Sequence, residues 1–580
     1  MKNKEIAEIL YSIADFLEME GVAFKPYAYE RAAVTLDALE EDVEDLYKKG
    51  GSKALEEIPG VGKSIAEKIE EYLKTGEIKY YEAFKKKTPV NVKELTSVEG
   101  LGPKKVKVLY QKLGIANLDD LKKAAKSHKI ASLTGFGDKT EKNILQGIDF
   151  VEKSKGRFIL GEVLPVVKEV ERLLRNLKEV EEIDVVGSIR RRKETIGDVD
   201  LLVISKNPKK VMDFFVSMPN VIKVWGKGFT KSSIRLKEGM DVDLRVLPRR
   251  IYGAGLQYFT GSKDHNIVTR KLAIEKGLKL SEYGLFRGKK IIAGKMEEEI
   301  YKALGMDLIA PELRENTGEI QAAIRQAQGK LPGLPKIIGY GDIKGDLHTH
   351  SDWDGGANTL EEMAEAAMDM GYEYLGISDH TKFLRIEHGL DEAKLEKRNK
   401  AIDAINTKLK TQNVKFRLLK GCEANIMKDG SIDINDDALG KLDYVVAGVH
   451  SNFKMTKDEM TERIITAMQN QNVDIISHPT GRILKKRDEY QIDFDRILKV
   501  AKYTGTILEI DGWPDRLDLN DQNIRRAKEA GVRMVVDTDS HNKDQLHFME
   551  LGISQARRGW AEKKDIINCW PLEKLLSFFK

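Results

Sequence analysis

GDLHTHSDWDGG, residues 345–356, sets His348 and His350 two apart and surrounds them with Asp346, Asp352 and Asp354. The stretch follows strand-like sequence and precedes a helical pattern. On a strand, residues i and i+2 share one face. An H-x-H pair alone also suits a polar turn with solvated side chains, so the rest of the chain decides. Further candidate ligands close successive apolar runs: YLGISDH ends in His380, FRLLKGCE in Glu423, YVVAGVH in His450, DIISHP in His478, and VRMVVDTDSH in Asp539 and His541. Ligands at strand C-termini converge on one mouth of a β/α barrel. Mixed imidazole and carboxylate donors suit Zn²⁺, Mn²⁺ or Fe, and two or three ions can share such a set. A water on such an ion can attack a phosphodiester near neutrality. Cys422, of opposite strand parity to Glu423, reads as a packed thiol.

Working outward, the chain divides in charge. Residues 1–340 carry 61 Lys+Arg against 51 Asp+Glu, and residues 341–580 carry 36 against 42. Only His128 and His265 precede residue 341; the other eight histidines follow it. A basic first half suits a polyanion, and an acidic, histidine-rich second half suits metal. At 580 residues the chain has room for several domains. No signal peptide and no membrane-length apolar run is present. Two cysteines build no disulfide framework, which points to a reducing cytoplasm.

Residues 1–150 repeat one unit three times: EIPGVGKSIAEKI at 57–69, SVEGLGPKKVKVL at 97–109 and LTGFGDKTEKNIL at 133–145. Each is Gly-x-Gly (Gly60/Gly62, Gly100/Gly102, Gly135/Gly137) followed by a helix bearing lysine. Glycines allow a tight hairpin, and the helix N-terminus that follows offers free N–H groups to phosphate. The repeat reads as helix-hairpin-helix contact with the DNA backbone. In GDVDLLV, Asp198 and Asp200 share a strand face; MDVDLRV places Asp243 on a further strand with Asp241 two before it. Three carboxylates on adjacent strands make an oxygen site for two Mg²⁺ or Mn²⁺ ions. Gly187–Ser188 and the arginines at 190–192 offer N–H, hydroxyl and guanidinium groups to a triphosphate.

Gly187–Ser188, Asp198-x-Asp200, DLRVLP and YFTGSKDHNIVTR together resemble the palm and thumb of a family X DNA polymerase, the polymerase beta class. The resemblance implies that Asp198, Asp200 and Asp243 are catalytic metal ligands, Asp243 being closest to the primer 3′-hydroxyl. It implies that Ser188, Arg191 and Gly197 contact the triphosphate, and that Tyr258, Phe259 and Gly261 lie beside the incoming sugar. It places Asn266 and Arg270 in the minor groove at the nascent pair. KPYAYERAA at 25–33 with GVGKSIAEKI resembles the family's 5′-phosphate and lyase domain. Lys25 and Tyr29 then match phosphate-pocket positions, and Lys68 matches the position where some members form a Schiff base. Ser64 stands where the family often has lysine.

The second half resembles the PHP domain, a distorted seven-stranded β/α barrel, through H-x-H, S-D-H, G-x-E, G-x-H, S-H-P and D-x-H. The family often supplies a carboxylate five residues after the second histidine. Here that position is Gly355, and Asp354 is the candidate substitute. His388 and His547 fall outside the pattern.

The expected fold is multidomain, α+β and α/β. A 5′-phosphate domain spans 1–85, a helical DNA-binding subdomain 86–156, a nucleotidyltransferase palm 157–250, a thumb 251–318, a linker 319–340 and the PHP barrel 341–580. The expected function is gap-filling DNA polymerase with a metal-dependent 3′–5′ nuclease, possible cleavage at abasic sites, and gapped DNA and dNTPs as partners of a cytoplasmic monomer. The alternative is a DNA-binding protein whose PHP half is inert or hydrolyses small phosphate esters.

Overall fold

A computed structural model describes residues 2–39, 41–96, 98, 101–153 and 156–579. Among the described residues, every regular element from Lys2 to Lys153 is an α-helix. Each Gly-x-Gly unit joins two helices: Val43–Glu56 to Lys63–Thr75, Val92–Thr96 to Pro103–Leu113, and Leu118–Lys126 to Gly137–Lys153. Gly60 (φ 78) and Gly135 (φ 88) turn the chain in the left-handed region, where a Cβ is strained. Gly62 and Gly102 are extended N-caps whose Cα faces open space. Gly100 lies outside the described residues. Buried side chains from Ile6 to Ile148 form one continuous core under all three units.

A five-stranded sheet follows, in the order Val180–Val185, Val199–Ser205, Asp241–Val246, Lys231–Leu236, Val221–Lys227. The second and third strands run parallel and set Asp200 beside Asp243. Alternation in DVDLRV buries Val242, Leu244 and Val246 and leaves the acidic and basic side chains on the other face. Helix Leu160–Arg175 buries its apolar residues in the core of this sheet. The thumb comprises helices Tyr252–Thr260 and Lys263–Glu275, a three-stranded antiparallel sheet and helix Glu297–Ala303.

The stretch expected as a linker begins instead with helix Glu319–Ala327, seated on the thumb. Ile320 and Ala323 join the thumb core, and Glu319 accepts a hydrogen bond at 2.8 Å from buried His265. Its glutamines and the later Leu–Pro pairs obscure an apolar stripe only two turns long.

In the last 240 residues parallel strands occupy seven positions: Gly345–Thr349, Tyr374–Ile377, Arg417–Lys420 continuing as Glu423–Asn425, Val446–Gly448, Ile475–Ile476, Ile507–Asp511 and Met534–Asp537. Leu347 N–H donates to Asp537 at 2.8 Å and Thr349 bridges to Ser540, which closes the ring. Leu347, Tyr374, Leu419, Val446, Ile475, Ile507 and Val535 fill the barrel, and helix Leu572–Phe579 packs beneath them. The opposite mouth is left for polar side chains.

The halves are fused. Leu517 and Leu551 of the barrel belong to the palm core, and a Cβ on Gly161 would stand 2.6 Å from Pro514. One buried clamp also locks thumb to palm. Glu297 takes Arg190 at 2.9 Å and the fully buried Arg314 at 2.5 Å. Burial opposes its ionisation, but Arg314 and Arg190 outweigh it and hold the carboxyl down to about 2. A folded-state value below the ordinary 4.5 adds stability that is complete above 4.5 and is lost as pH falls toward 2. Glu297→Gln leaves Arg314 charged and buried, with an expected loss of ~3–5 kcal/mol. Urea unfolding at pH 7 and pH 3 checks this: the variant loses stability at pH 7, and the gap to wild type narrows at pH 3.

Candidate active sites

The polymerase-type site is built on the parallel strand pair. Asp200 is mostly buried, and burial together with the carboxylates of Asp198 and Asp243 pushes it up to about 6. Asp243 is met by the Lys231 ammonium at 2.9 Å. Mutually repelling carboxylates with a cation drawn among them fit a divalent metal site. Asp241 is engaged elsewhere. Arg235 grips it through two bonds of 2.8 Å and the Trp225 indole N–H donates to it at 2.8 Å.

Beside the aspartates lies a cleft of about 450 Å³. It is lined by Gly187, Ser188, Arg191, Gly197, Tyr258, Phe259, Gly261, Asn266 and Arg270, all offered to the nucleotide by the sequence; Arg190 and Arg192, offered with them, pair instead with Glu297 and Glu550. Gly187 has φ 66, and a Cβ there would lie 2.9 Å from an Asp200 oxygen, so only glycine lets the Gly–Ser turn approach the carboxylate. Asn266 is partly committed to the frame, donating to the Tyr258 carbonyl at 2.7 Å and accepting from Gln257 at 2.9 Å. Arg270 donates to the Asn266 carbonyl at 3.0 Å. The sequence reading missed Arg157, Lys193 and Lys263, which line the same cleft. Lys193 continues the basic run at 190–192 and Lys263 lies inside YFTGSKDHNIVTR, so both had a signal; Arg157 lies outside every motif.

The second site fills the barrel mouth. Glu423 is central. Its oxygens lie 2.7 Å from His380 Nδ1, 3.0 Å from His450 Nε2, 3.0 Å from His478 Nε2 and 3.3 Å from His348 Nε2. Asp539 stands 3.3 Å from His350 Nε2 and 3.6 Å from His348 Nε2. The His541 ring stacks on His350 at 4.1 Å. Burial works against the Glu423 carboxylate, yet His450, His348 and His380 hold it well below its ordinary range.

Among the described residues donor atoms gather in four overlapping groups: His348/His350/Glu423/Asp539, His350/His380/His541, His380/Glu423/His450 and His350/Asp354/Asp379. His348 Nε2, His350 Nε2, His380 Nδ1, Glu423 Oε2 and Asp539 Oδ1 are buried without a hydrogen bond. Buried polar atoms are rarely left so. Lone pairs aimed at one another are satisfied by cations, so the residues fit a multinuclear metal centre.

Asp354 sits behind this layer. It accepts from His350 Nδ1 at 2.7 Å, His380 N–H at 2.8 Å and Gly356 N–H at 2.9 Å, while one of its oxygens also groups with His350 and Asp379. Burial disfavours the His350 imidazolium, but Asp354 and Asp539 raise it to about 10. The sequence reading missed a supporting ring. Glu509 takes His348 Nδ1 at 2.5 Å and His478 N–H at 2.6 Å, and Asn425 holds His450 Nδ1 at 2.7 Å. Its signal was present: ILEID places acidic residues at alternate positions of an apolar strand. Such partners fix ring orientation in metal sites. Cys422 and Cys569 are free and buried.

Lys68 donates to the Ser64 carbonyl at 3.0 Å, and its ammonium lies 5.9 Å from the Tyr29 ring and 5.2 Å from that of Tyr80. Tyr29 is buried and Lys25 exposed. The same helix meets the barrel mouth through its other side. Tyr27 hydroxyl donates to Glu387 at 3.1 Å, and Arg31 donates to the Gly356 carbonyl at 2.6 Å. A Cβ on Gly355 would collide with the Glu387 carboxylate. His388 faces Tyr27, with ring centroids 6.3 Å apart, and His547 packs on Phe548.

Comparison with known proteins agrees with this layout. A helix-hairpin-helix domain matches residues 1–78, a SAM-like helix-hairpin-helix tandem 92–149, the DNA polymerase beta thumb 255–315 and the PHP domain 346–512. The DNA polymerase/3′-5′ exonuclease PolX of Bacillus subtilis (strain 168) is 36% identical over 585 residues, covering 100% of both chains. The chain belongs to the family X DNA polymerases that carry a PHP domain. The PHP part of the chain has relatives of its own. A probable phosphatase of Thermoanaerobacter sp. (strain X514) is 31% identical over 208 residues, covering 34% of this chain and 78% of its own. A probable phosphatase of Caldanaerobacter subterraneus is 32% identical over 208 residues, covering 34% and 75%. Among the described residues, no helix is long and apolar enough to cross a membrane.

Proposed function

We propose that this chain fills short gaps in DNA during repair and trims DNA 3′ ends. The observation that carries this reading is the pairing of a triphosphate-sized cleft beside Asp198, Asp200 and Asp243 with a barrel mouth of buried, unbonded imidazole and carboxylate atoms.

In the polymerase site Asp198, Asp200 and Asp243 hold Mg²⁺ or Mn²⁺, with Asp243 nearest the primer 3′-hydroxyl. Ser188, Arg191 and Gly197 receive the triphosphate, and Tyr258, Phe259 and Gly261 flank the sugar. Asn266 and Arg270 face the minor groove. Divalent ions, when bound, favour ionisation of the attacking group and offset charge on the phosphates. In the barrel, His348, His350, His380, Glu423, His450, His478, Asp539 and His541 hold two or three Zn²⁺, Mn²⁺ or Fe ions. Asp354 and Glu509 orient the histidines. The basic first half holds the duplex and delivers its end to the acidic second half.

The probable phosphatases that match the PHP part favour a second reading, hydrolysis of small phosphate esters at the same mouth. Product analysis on end-labelled DNA beside a small monoester such as histidinol phosphate separates the two. Release of nucleotides from the 3′ end supports the nuclease; turnover of the monoester alone overturns it.

The helix bearing Lys25 and Tyr29, with Lys68, receives a 5′-phosphate across the gap. Lys68 is also the candidate for Schiff-base formation at an abasic sugar, which borohydride trapping tests. A 5′-phosphate is expected to tighten gap binding by about tenfold over a 5′-hydroxyl, as a charge-assisted contact should. The preference weakens with salt as counterions are released. Equal affinity for both gaps at low salt removes the pocket.

A further inference from the structure

Helix Met549–Arg558 belongs to the barrel but faces the palm loop at 190–193. Arg558 is buried. Its Nη1 donates to the Arg191 carbonyl at 2.7 Å and to Glu315 Oε1 at 3.1 Å, and its Nη2 pairs with Asp521. Glu315 in turn accepts from Arg191 Nε at 3.0 Å, with the Lys193 ammonium 3.9 Å away. Arg191 also donates to the Thr260 carbonyl, the residue before Gly261 of the cleft. About two turns earlier on the same helix, Glu550 pairs with Arg192 at 2.9 Å. A continuous chain of alternating charge therefore runs from the nucleotide cleft, through the end of the thumb, into the nuclease barrel.

We propose that Arg558 is a positioning residue for nucleotide binding, through which the nuclease barrel fixes Arg191 in the polymerase cleft. This rests on Arg191 being a triphosphate contact. Glu315 has one negative charge to share among Arg191, Lys193 and Arg558. With Arg558 in place the carboxylate is balanced from the barrel side, and Arg191 keeps charge to offer a phosphate. The bond to the Arg191 carbonyl also fixes the backbone from which that side chain springs. Without Arg558, Glu315 competes with the triphosphate for the Arg191 guanidinium, and the loop loses its anchor. Nucleotide affinity suffers first; the aspartates that carry the chemistry stay where they are. The barrel-mouth ligands do not touch Arg558, so the nuclease is unaffected.

The test uses the full-length protein with Arg558→Ala, Arg558→Lys, Arg191→Ala and the Arg558→Ala, Arg191→Ala pair. Gap filling is measured across dNTP concentrations, and 3′ trimming of single-stranded DNA is measured alongside. Arg558→Ala is expected to raise the dNTP KM on the order of tenfold, as loss of a hydrogen bond to a charged group does, with kcat nearly unchanged and trimming intact. Arg558→Lys recovers part of the loss, because one ammonium can reach only some of the three acceptors. In the pair, the second substitution adds little to the first, because both act through one contact. An unchanged KM in Arg558→Ala while Arg191→Ala raises it overturns the proposal and leaves the triphosphate assignment standing. An unchanged KM in Arg191→Ala removes both. A parallel fall in kcat and trimming without a KM change marks general loosening and also overturns it.

Discussion

Asp243→Ala abolishes nucleotide addition on a primed one-nucleotide gap, with an expected fall of roughly 10³-fold or more, because several kcal/mol of charge stabilisation disappear and each 1.36 kcal/mol is tenfold. The strand register explains the size. Asp243 lies directly beside Asp200 across a parallel pair, so both carboxylates face one point. Removing one leaves too few oxygens to hold two ions against their own repulsion. The substitution is mild for the fold, since Asp243 is partly exposed and Val242 and Leu244 carry the packing. The Lys231 ammonium, freed from Asp243, turns to the remaining aspartates and further blocks metal entry. DNA binding, which rests on the helical first domain and the basic cleft, stays near wild type. Trimming of 3′ ends stays too, because its ligands lie in another core. Extension at the wild-type rate would refute the role given to Asp243.

Much of this was legible in the chain because each site advertises itself by period. Asp198 and Asp200, or His348 and His350, sit two apart across a strand end, and an apolar run ending in His or Glu marks a barrel mouth. The Gly-x-Gly units were legible because a left-handed turn before a helix demands glycine, as Gly60 and Gly135 show. What stayed hidden depends on tertiary approach. The helix at Glu319 has too short an apolar stripe to compete with its glutamines and flanking prolines. Asp354 could be read from sequence only as a candidate ligand and Gly355 only as a missing carboxylate, because their surroundings come from His350 on one side and Glu387 with Tyr27 on the other, residues up to 360 positions apart. Arg558 shows the same limit: a lone arginine near a helix end says nothing until Glu315 and the Arg191 carbonyl are beside it.

His348→Asn with His350→Asn removes the 3′ nuclease and keeps gap filling. Asparagine is chosen because its amide can still donate toward Glu509 and Asp354, where the Nδ1 atoms of the two rings now sit at 2.5 and 2.7 Å. Alanine would take from each of those buried carboxylates its imidazole partner, at ~3–5 kcal/mol for a broken buried pair, and would mix unfolding with loss of function. Asparagine deletes only the two Nε2 atoms that point at Glu423 and Asp539. The group His348/His350/Glu423/Asp539 then loses half its donors, and the group His350/His380/His541 loses one of three. Bound metal per chain, counted by elemental analysis, should drop by at least one ion. Mn²⁺-dependent trimming should fall by roughly 10²-fold or more, since even partners of ligands are worth 10–100-fold. Gap filling should persist, because Asp198, Asp200 and Asp243 belong to a separate sheet, and the palm meets the barrel through Arg558 and Glu550, away from these histidines. Undiminished trimming in the double variant refutes the metal assignment. Loss of both activities with metal content and unfolding transition unchanged refutes the separation of the two sites.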